Sequence, residues 1–239
     1  MVRVKVCGVT NEADLRAVES AGADAVGAIA DVTVDTPREV SLDTAATLFD
    51  AAPPFLTTTL VTMPETVEDA VDTAERVGPD VLQLHGGFSK TDLEAIRERI
   101  DADLVAVVDA AEPERARAVA PAVDAVLVDS LDDEEAGGTG ETHDWEATAA
   151  VVETLDAPVI LAGGLTPENV AEAVEIVQPY AVDVASGVER TGGEKDHEAV
   201  RAFVANATDV VSDADVDPAG EPDGDRDGDQ STRIEEVSS

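Results

Sequence analysis

The stretch VILAGGLTPENVAEAVEIVQPYAVDVASGVE, residues Val159 to Glu189, holds one strand–helix–strand unit. Its first apolar run, Val159–Leu161, and its last, Ala181–Val184, are short and rich in β-branched residues, as buried strands are. Between them Thr166 can cap a helix and Pro167 fits its first turn. Val170, Val174 and Val177 fall on one stripe, and Pro179 ends it. Strands joined in this way lie parallel, with a right-handed crossover.

The unit recurs along the chain. Apolar runs at Val2–Val6, Ala25–Ile29, Phe55–Val61, Val81–Leu84, Leu104–Val108 and Ala125–Val128 bring the expected strands to eight, roughly 20 to 35 residues apart. After the first run, Thr10-Asn11 offers a cap, Leu15 and Val18 a stripe, and Gly22 a stop. Eight such units predict an α/β protein with a (β/α)8 TIM barrel. A doubly wound open sheet is the alternative, but it more often carries about five or six strands, and no GxGxxG follows the first strand here.

Composition bounds the chemistry. One cysteine in 239 residues excludes an intramolecular disulfide and any CxxC site. The three histidines, His85, His143 and His197, show no HExxH or HxH spacing, so neither a metal nor another cofactor is expected. The chain starts on a strand pattern, and no apolar stretch reaches membrane-spanning length, so a cytoplasmic protein without membrane partners is expected. Fifty-three acidic residues against 15 basic ones give a net charge of −38, which repels nucleic acid. The acids are spread along the chain, as suits a cell with high internal salt, and a halophilic source is expected. From Asp209 onward the periodicity stops: 11 acids, two arginines and no aromatic residue predict a disordered acidic tail over 209–239 behind one catalytic domain at 1–208.

Active sites of barrels lie at the C-terminal ends of the strands. Polar residues expected there are Cys7, Gln83 and His85, Asp129, Gly163 and Gly164, Asp183, and Ser186 with Gly187. The glycine pairs follow the seventh and eighth strands, where barrels usually bind phosphate, and bare N–H groups before a helix start cradle anions. A phosphorylated small-molecule substrate is therefore expected. Cys7 and Asp129 are base and acid candidates: a thiolate needs a local positive field, and desolvation should raise a strand-end carboxyl. The residues alone leave two plainer readings open, a buried core thiol and an aspartate capping its own loop.

KVCGVTNEADL, VLQLHG, AVLVDS, GGTGETHDW, LAGGLTPENV and AVDVASGVE occur in that order. From residue 2 to about 207 the chain resembles the phosphoribosylanthranilate isomerase family of tryptophan biosynthesis, which has the (β/α)8 fold. The resemblance implies an Amadori rearrangement of N-(5-phosphoribosyl)anthranilate. It makes Asp129 the general acid at the ring oxygen and Cys7 the general base at C2. It places Arg38 on the anthranilate carboxylate, has His85 and Asp183 line the pocket beside the strand-end candidate Gln83, and makes the Gly137–Trp145 loop a mobile cover. A monomer or a homodimer fits such a barrel.

The sequence departs from the family pattern at strand 2 (AVGAIADVTVDTPREVS), strand 3 (FLTTTLVT), strand 5 (AVVDA, where a lysine is common) and loop 6 (Glu141, His143). The rivals are another phosphate-binding barrel enzyme, such as thiamine phosphate synthase or a pentulose-phosphate epimerase, and a non-catalytic barrel scaffold. How Cys7 would become a thiolate is open between a backbone dipole and Lys5.

Overall fold

The computed structural model describes residues 1–129 and 145–209. The expected cover up to residue 144, with Glu141 and His143, and the tail from 210 lie outside the described residues.

Strands β1 (Arg3–Val6), β2 (Ala25–Ile29), β3 (Thr57–Thr62), β4 (Val81–Leu84), β5 (Asp103–Asp109), β6 (Ala125–Asp129), β7 (Val159–Ala162) and β8 (Ala181–Val184) form one closed parallel barrel. The seam is closed by β1 against β8, with Lys5 opposite Asp183. Helices α1 (Glu12–Ser20), α2 (Leu42–Asp50), α3 (Val67–Val77), α4 (Lys90–Arg97), α5 (Pro113–Val119), α6 (Trp145–Val152) and α7 (Val170–Val177) connect successive strands. A short antiparallel hairpin, β9 (Glu189–Thr191) and β10 (Glu194–Lys195), follows β8, and α8 (His197–Thr208) closes the domain. This is the (β/α)8 barrel the strand count predicted.

Period two decides what each strand offers to each side. Val4 and Val6 of β1 pack outward in a buried cluster with Leu15 and Val18 of α1 and Val200 and Phe203 of α8. The alternate residues of the same strand, Arg3 and Lys5, line the barrel axis. The apolar alternation of β1 thus marks its helix-facing side, and the polar residues go inside. Inward-facing Val105, Ala125, Leu127, Ile160, Ala162 and Ala181 fill the interior on the opposite wall.

Helix starts follow side-chain caps: Asn11 Oδ1 accepts the Asp14 N–H, and Ser41, Thr66 and Ser89 cap α2, α3 and α4 in the same way. Two expectations are corrected. Phe55 is not in a strand: behind Pro53-Pro54 it adopts φ 73° in a turn, fully exposed, and β3 begins at Thr57. Helix α7 begins at Val170 behind Asn169, not at Pro167 behind a Thr166 cap. Asn169 folds back, its Oδ1 accepting from Thr166 N at 2.8 Å and its amide donating to Gly164 O at 3.0 Å, so Thr166 to Asn169 form a separate turn that braces the glycine loop. Among the described residues no helix is long and apolar enough to cross a membrane.

Candidate active site

A pocket of about 510 Å3 opens at the C-terminal mouth of the barrel. All ten expected site residues line it: Cys7, Arg38, Gln83, His85, Asp129, Gly163, Gly164, Asp183, Ser186 and Gly187. Strand parity brings them together. Cys7 continues the inward face of β1 two residues past Lys5, and its N–H donates to Val184 O at 2.8 Å. Gln83 and His85 continue that of β4, and Asp129 ends β6 two residues past Leu127. A smaller cavity of about 240 Å3 lies at the opposite end, below Lys5 and Gln83, and holds neither Cys7 nor Asp129.

The sulfur has its place because β2 carries a glycine. A Cβ on Gly27 would lie 2.9 Å from Cys7 Sγ and 3.3 Å from Lys5 Cε. Lys5 therefore packs beside the thiol, with Nζ donating to Asp183 Oδ2 at 2.8 Å and both side chains buried. Burial pushes the Cys7 thiol up; the Lys5 ammonium pulls it down, Asp183 pushes it up and Lys195 pulls it down, with a net rise. Of these charges Lys5 lowers the thiol most, and burial outweighs it. Burial also acts to lower the ammonium of Lys5 itself, yet Asp183 and Cys7 hold it above the usual lysine value, so Lys5 is charged. Burial and then Lys5 lower the His85 imidazole, which is neutral at neutral pH.

Two acceptors in this wall, Gln83 Oε1 and Asp183 Oδ1, are buried without a partner among the described residues. Gly163 and Gly164 adopt φ 88° and 57°, a left-handed pair suited to glycine, and turn the chain over the mouth. A Cβ on Gly187 would lie 1.9 Å from Leu165 O, so only glycine lets the two loops touch. The support of these two loops differs from the expected one. After β8 comes a single 3-10 turn, Ser186–Val188, and α7 begins six residues beyond Gly164, so the N–H groups belong to two apposed loops and one short turn.

Arg38 reaches the pocket from the loop after β2, which returns to the barrel where Val40 N–H donates to Ile29 O at 2.9 Å. Its guanidinium is held by Glu189: Nε donates to Oε1 at 2.9 Å and Nη2 to Oε2 at 2.8 Å. Glu189 in turn accepts from Lys195 Nζ at 2.9 Å. Burial works against the Glu189 carboxylate, but Arg38 and Lys195 outweigh it and hold it below the usual range. Sequence reasoning did not find Glu189 or Lys195. Two of the chain's three lysines, Lys5 and Lys195, are buried, which the sequence alone does not show. Of the departures from the family pattern, strands 2 and 3 supply Ile29 and Val61 to the pocket wall, while Asp109 at the end of β5 accepts the Ala111 N–H and does not line it.

Residues 4–206 match the sequence model of N-(5'phosphoribosyl)anthranilate (PRA) isomerase. The chain belongs to the phosphoribosylanthranilate isomerase family. It is an isomerase of tryptophan biosynthesis. It is 66% identical over 207 residues to the N-(5'-phosphoribosyl)anthranilate isomerase of Haloferax volcanii, covering 87% of this chain and 93% of that one. It is 58% identical over 207 residues to that of Haloarcula marismortui, covering 87% and 96%. These relatives are proteins of halophilic archaea, in line with the halophilic source expected from the charge. The Thermotoga maritima phosphoribosyl anthranilate isomerase structure superposes with a TM-score of 0.78 at 36% identity, covering 87% of this chain and 98% of that one. A family structure in complex with reduced 1-(o-carboxyphenylamino)-1-deoxyribulose 5-phosphate gives 0.75 at 33% identity, covering 87% and 98%. The rival barrel is represented by thiamine phosphate pyrophosphorylase of Pyrococcus furiosus, at 0.64 and 19% identity over 88% and 98% of the two chains, a likeness of fold alone.

Proposed function

We propose that this isomerase converts N-(5-phosphoribosyl)anthranilate to 1-(2-carboxyphenylamino)-1-deoxyribulose 5-phosphate with Asp129 as general acid and Cys7 as general base. One observation carries the reading: a single pocket is lined at once by the thiol, the carboxyl and the two glycine loops. The phosphate is held by N–H groups around Gly163, Gly164, Ser186 and Gly187, which attract an anion locally in a chain of charge −38. Asp129 gives its proton to the ring oxygen as the C1–O bond breaks and the anthranilate nitrogen lone pair forms the C=N bond. Cys7 as thiolate then takes the C2 proton, leaving an enolamine that becomes the ketone when C1 is protonated and the C2 hydroxyl loses its proton. The cationic Schiff base beside Cys7 favours the thiolate and adds to the effect of Lys5. Gln83 and Asp183 accept from the sugar hydroxyls, neutral His85 faces the same chain of atoms, and Arg38 binds the anthranilate carboxylate.

Every residue named here comes from one chain, so one copy supplies all of these groups whether the enzyme is a monomer or a homodimer. Residues 1–208 are taken as the catalytic unit, and a biosynthetic step on a small phosphorylated metabolite suits the cytoplasm. The test follows loss of phosphoribosylanthranilate fluorescence in molar KCl for wild type, Cys7→Ser and Asp129→Asn. Each variant is expected to fold and to lose about 10²- to 10⁴-fold in kcat. Full activity in either variant overturns its assigned role.

A further inference from the structure

We infer that Glu189 and Lys195 are positioning residues that fix the two anion-binding ends of the pocket relative to each other. This rests on the reading of Arg38 as carboxylate ligand and of the Ser186–Gly187 loop as phosphate cradle. Glu189 takes two of the five guanidinium N–H groups of Arg38 in a fork, which orients the plane and leaves three for a ligand. Lys195 Nζ donates both to Glu189 Oε1 and to Ala185 O, each at 2.9 Å. Ala185 leads directly into the phosphate loop. One ammonium thus holds the carboxylate that aims Arg38 and the backbone that carries the cradle.

Charge makes the arrangement purposeful. Arg38 with Glu189 alone is neutral and offers no net attraction to a substrate carboxylate. With Lys195 the trio is a monocation. Glu189 and Lys195 have side chains only 4% and 0% exposed, so their ionisation is costly, and a buried ion pair is weak support for stability. The chain nevertheless keeps one of its three lysines here. The hairpin is clamped onto the Arg38 loop as well. A Cβ on Gly193, at φ 79°, would lie 2.3 Å from Pro37 O, and Lys195 N donates to Asp14 Oδ2 at 3.2 Å.

The experiment compares two inhibitors in molar KCl: the reduced product 1-(o-carboxyphenylamino)-1-deoxyribulose 5-phosphate in its reduced form, and its counterpart without the carboxylate. Inorganic phosphate is the third probe. Wild type is expected to prefer the carboxylated inhibitor. Glu189→Gln raises the charge of the trio, but it also removes the fork that aims the guanidinium. If positioning governs, it is expected to weaken that inhibitor about ten-fold or more while sparing the counterpart and phosphate. Tighter binding of that inhibitor overturns the positioning role. The same change in an Arg38→Met background is expected to add nothing. Lys195→Met is expected to weaken the carboxylated inhibitor and phosphate together. Should it fail to fold, Glu189→Gln/Lys195→Met, which removes both buried charges, takes its place. Equal loss for all three probes in Glu189→Gln, or a further loss in the Arg38→Met background, overturns the positioning role alone. A wild type that does not discriminate between the inhibitors overturns the carboxylate reading of Arg38 and the inference with it.

Discussion

Lys5 Nζ and Asp183 Oδ2 meet at 2.8 Å across the β1–β8 seam, where the two residues are register partners. The pair sits beside Cys7, so its two charges act on the sulfur with opposite signs. Burial raises the thiol most, Lys5 lowers it and Asp183 raises it. With Cys7 in the proposed role of base at C2, kcat/KM is expected to climb with pH along a limb set by this thiol. Lys5→Met removes the lowering charge, so the limb moves to higher pH. Asp183→Asn removes a raising charge, so the limb moves to lower pH. The pH profiles of the two variants check this, and shifts in one common direction exclude electrostatic control of Cys7 by the pair.

Gly27 is the neighbour that sets where the sulfur lies. A methyl there would sit 2.9 Å from Sγ and 3.3 Å from Lys5 Cε, inside normal contact distance for both. Gly27→Ala is expected to cost about 1–3 kcal/mol of stability by overpacking and to lower kcat more than it raises KM. Adding Cys7→Ser, with its smaller oxygen, should recover stability and not activity. Denaturant unfolding with steady-state kinetics measures both. A Gly27→Ala enzyme with unaltered kcat speaks against a constrained sulfur.

The barrel was legible because its two periodicities are strong. Eight β-branched runs and the stripes between them depend on local pattern, and all eight strand assignments agree with the structure to within two residues at either end, seven of them to within one. Phe55 and Thr166 were misread for a local reason: Pro53-Pro54 and the returning Asn169 side chain set backbone turns that apolar pattern does not report. The strand-end residues were legible because parity carries every second residue inward. Glu189 and Lys195 were not. Their meaning lies in contacts to Arg38 and to Ala185 O, and nothing in the local pattern around either residue points to Arg38, 151 positions away from Glu189.

Gly187 tests the cradle. Its missing side chain lets the β8 loop touch Leu165 O, where a Cβ would lie 1.9 Å away and meet backbone that cannot rotate aside. Gly187→Ala must separate the loops that present the N–H groups. Competitive inhibition by inorganic phosphate should weaken about ten-fold or more, with KM rising in parallel and the pH limb of Cys7 unmoved. Unchanged phosphate inhibition would place the anion elsewhere.

The charge of the chain predicts how its stability answers to salt. With 53 acids and 15 basic residues, repulsion among excess carboxylates extends over the surface. Salt shortens its range from about 10 Å at 0.1 M to about 3 Å at 1 M. Surface pairs such as Arg76–Asp43 and Arg99–Glu68 are weakened by the same screening, but exposed pairs contribute only about 0–1 kcal/mol each. Relief of repulsion therefore wins, and Tm is expected to rise from 0.1 M (about one Debye length of 10 Å) to molar KCl. The buried Lys5–Asp183 and Lys195–Glu189 pairs lie out of reach of the ions, so kcat per folded molecule should change far less than Tm. Thermal unfolding and active-site titration across a KCl series separate the two. A Tm that stays flat or falls would mean that the acidic surface does not govern the stability of this fold.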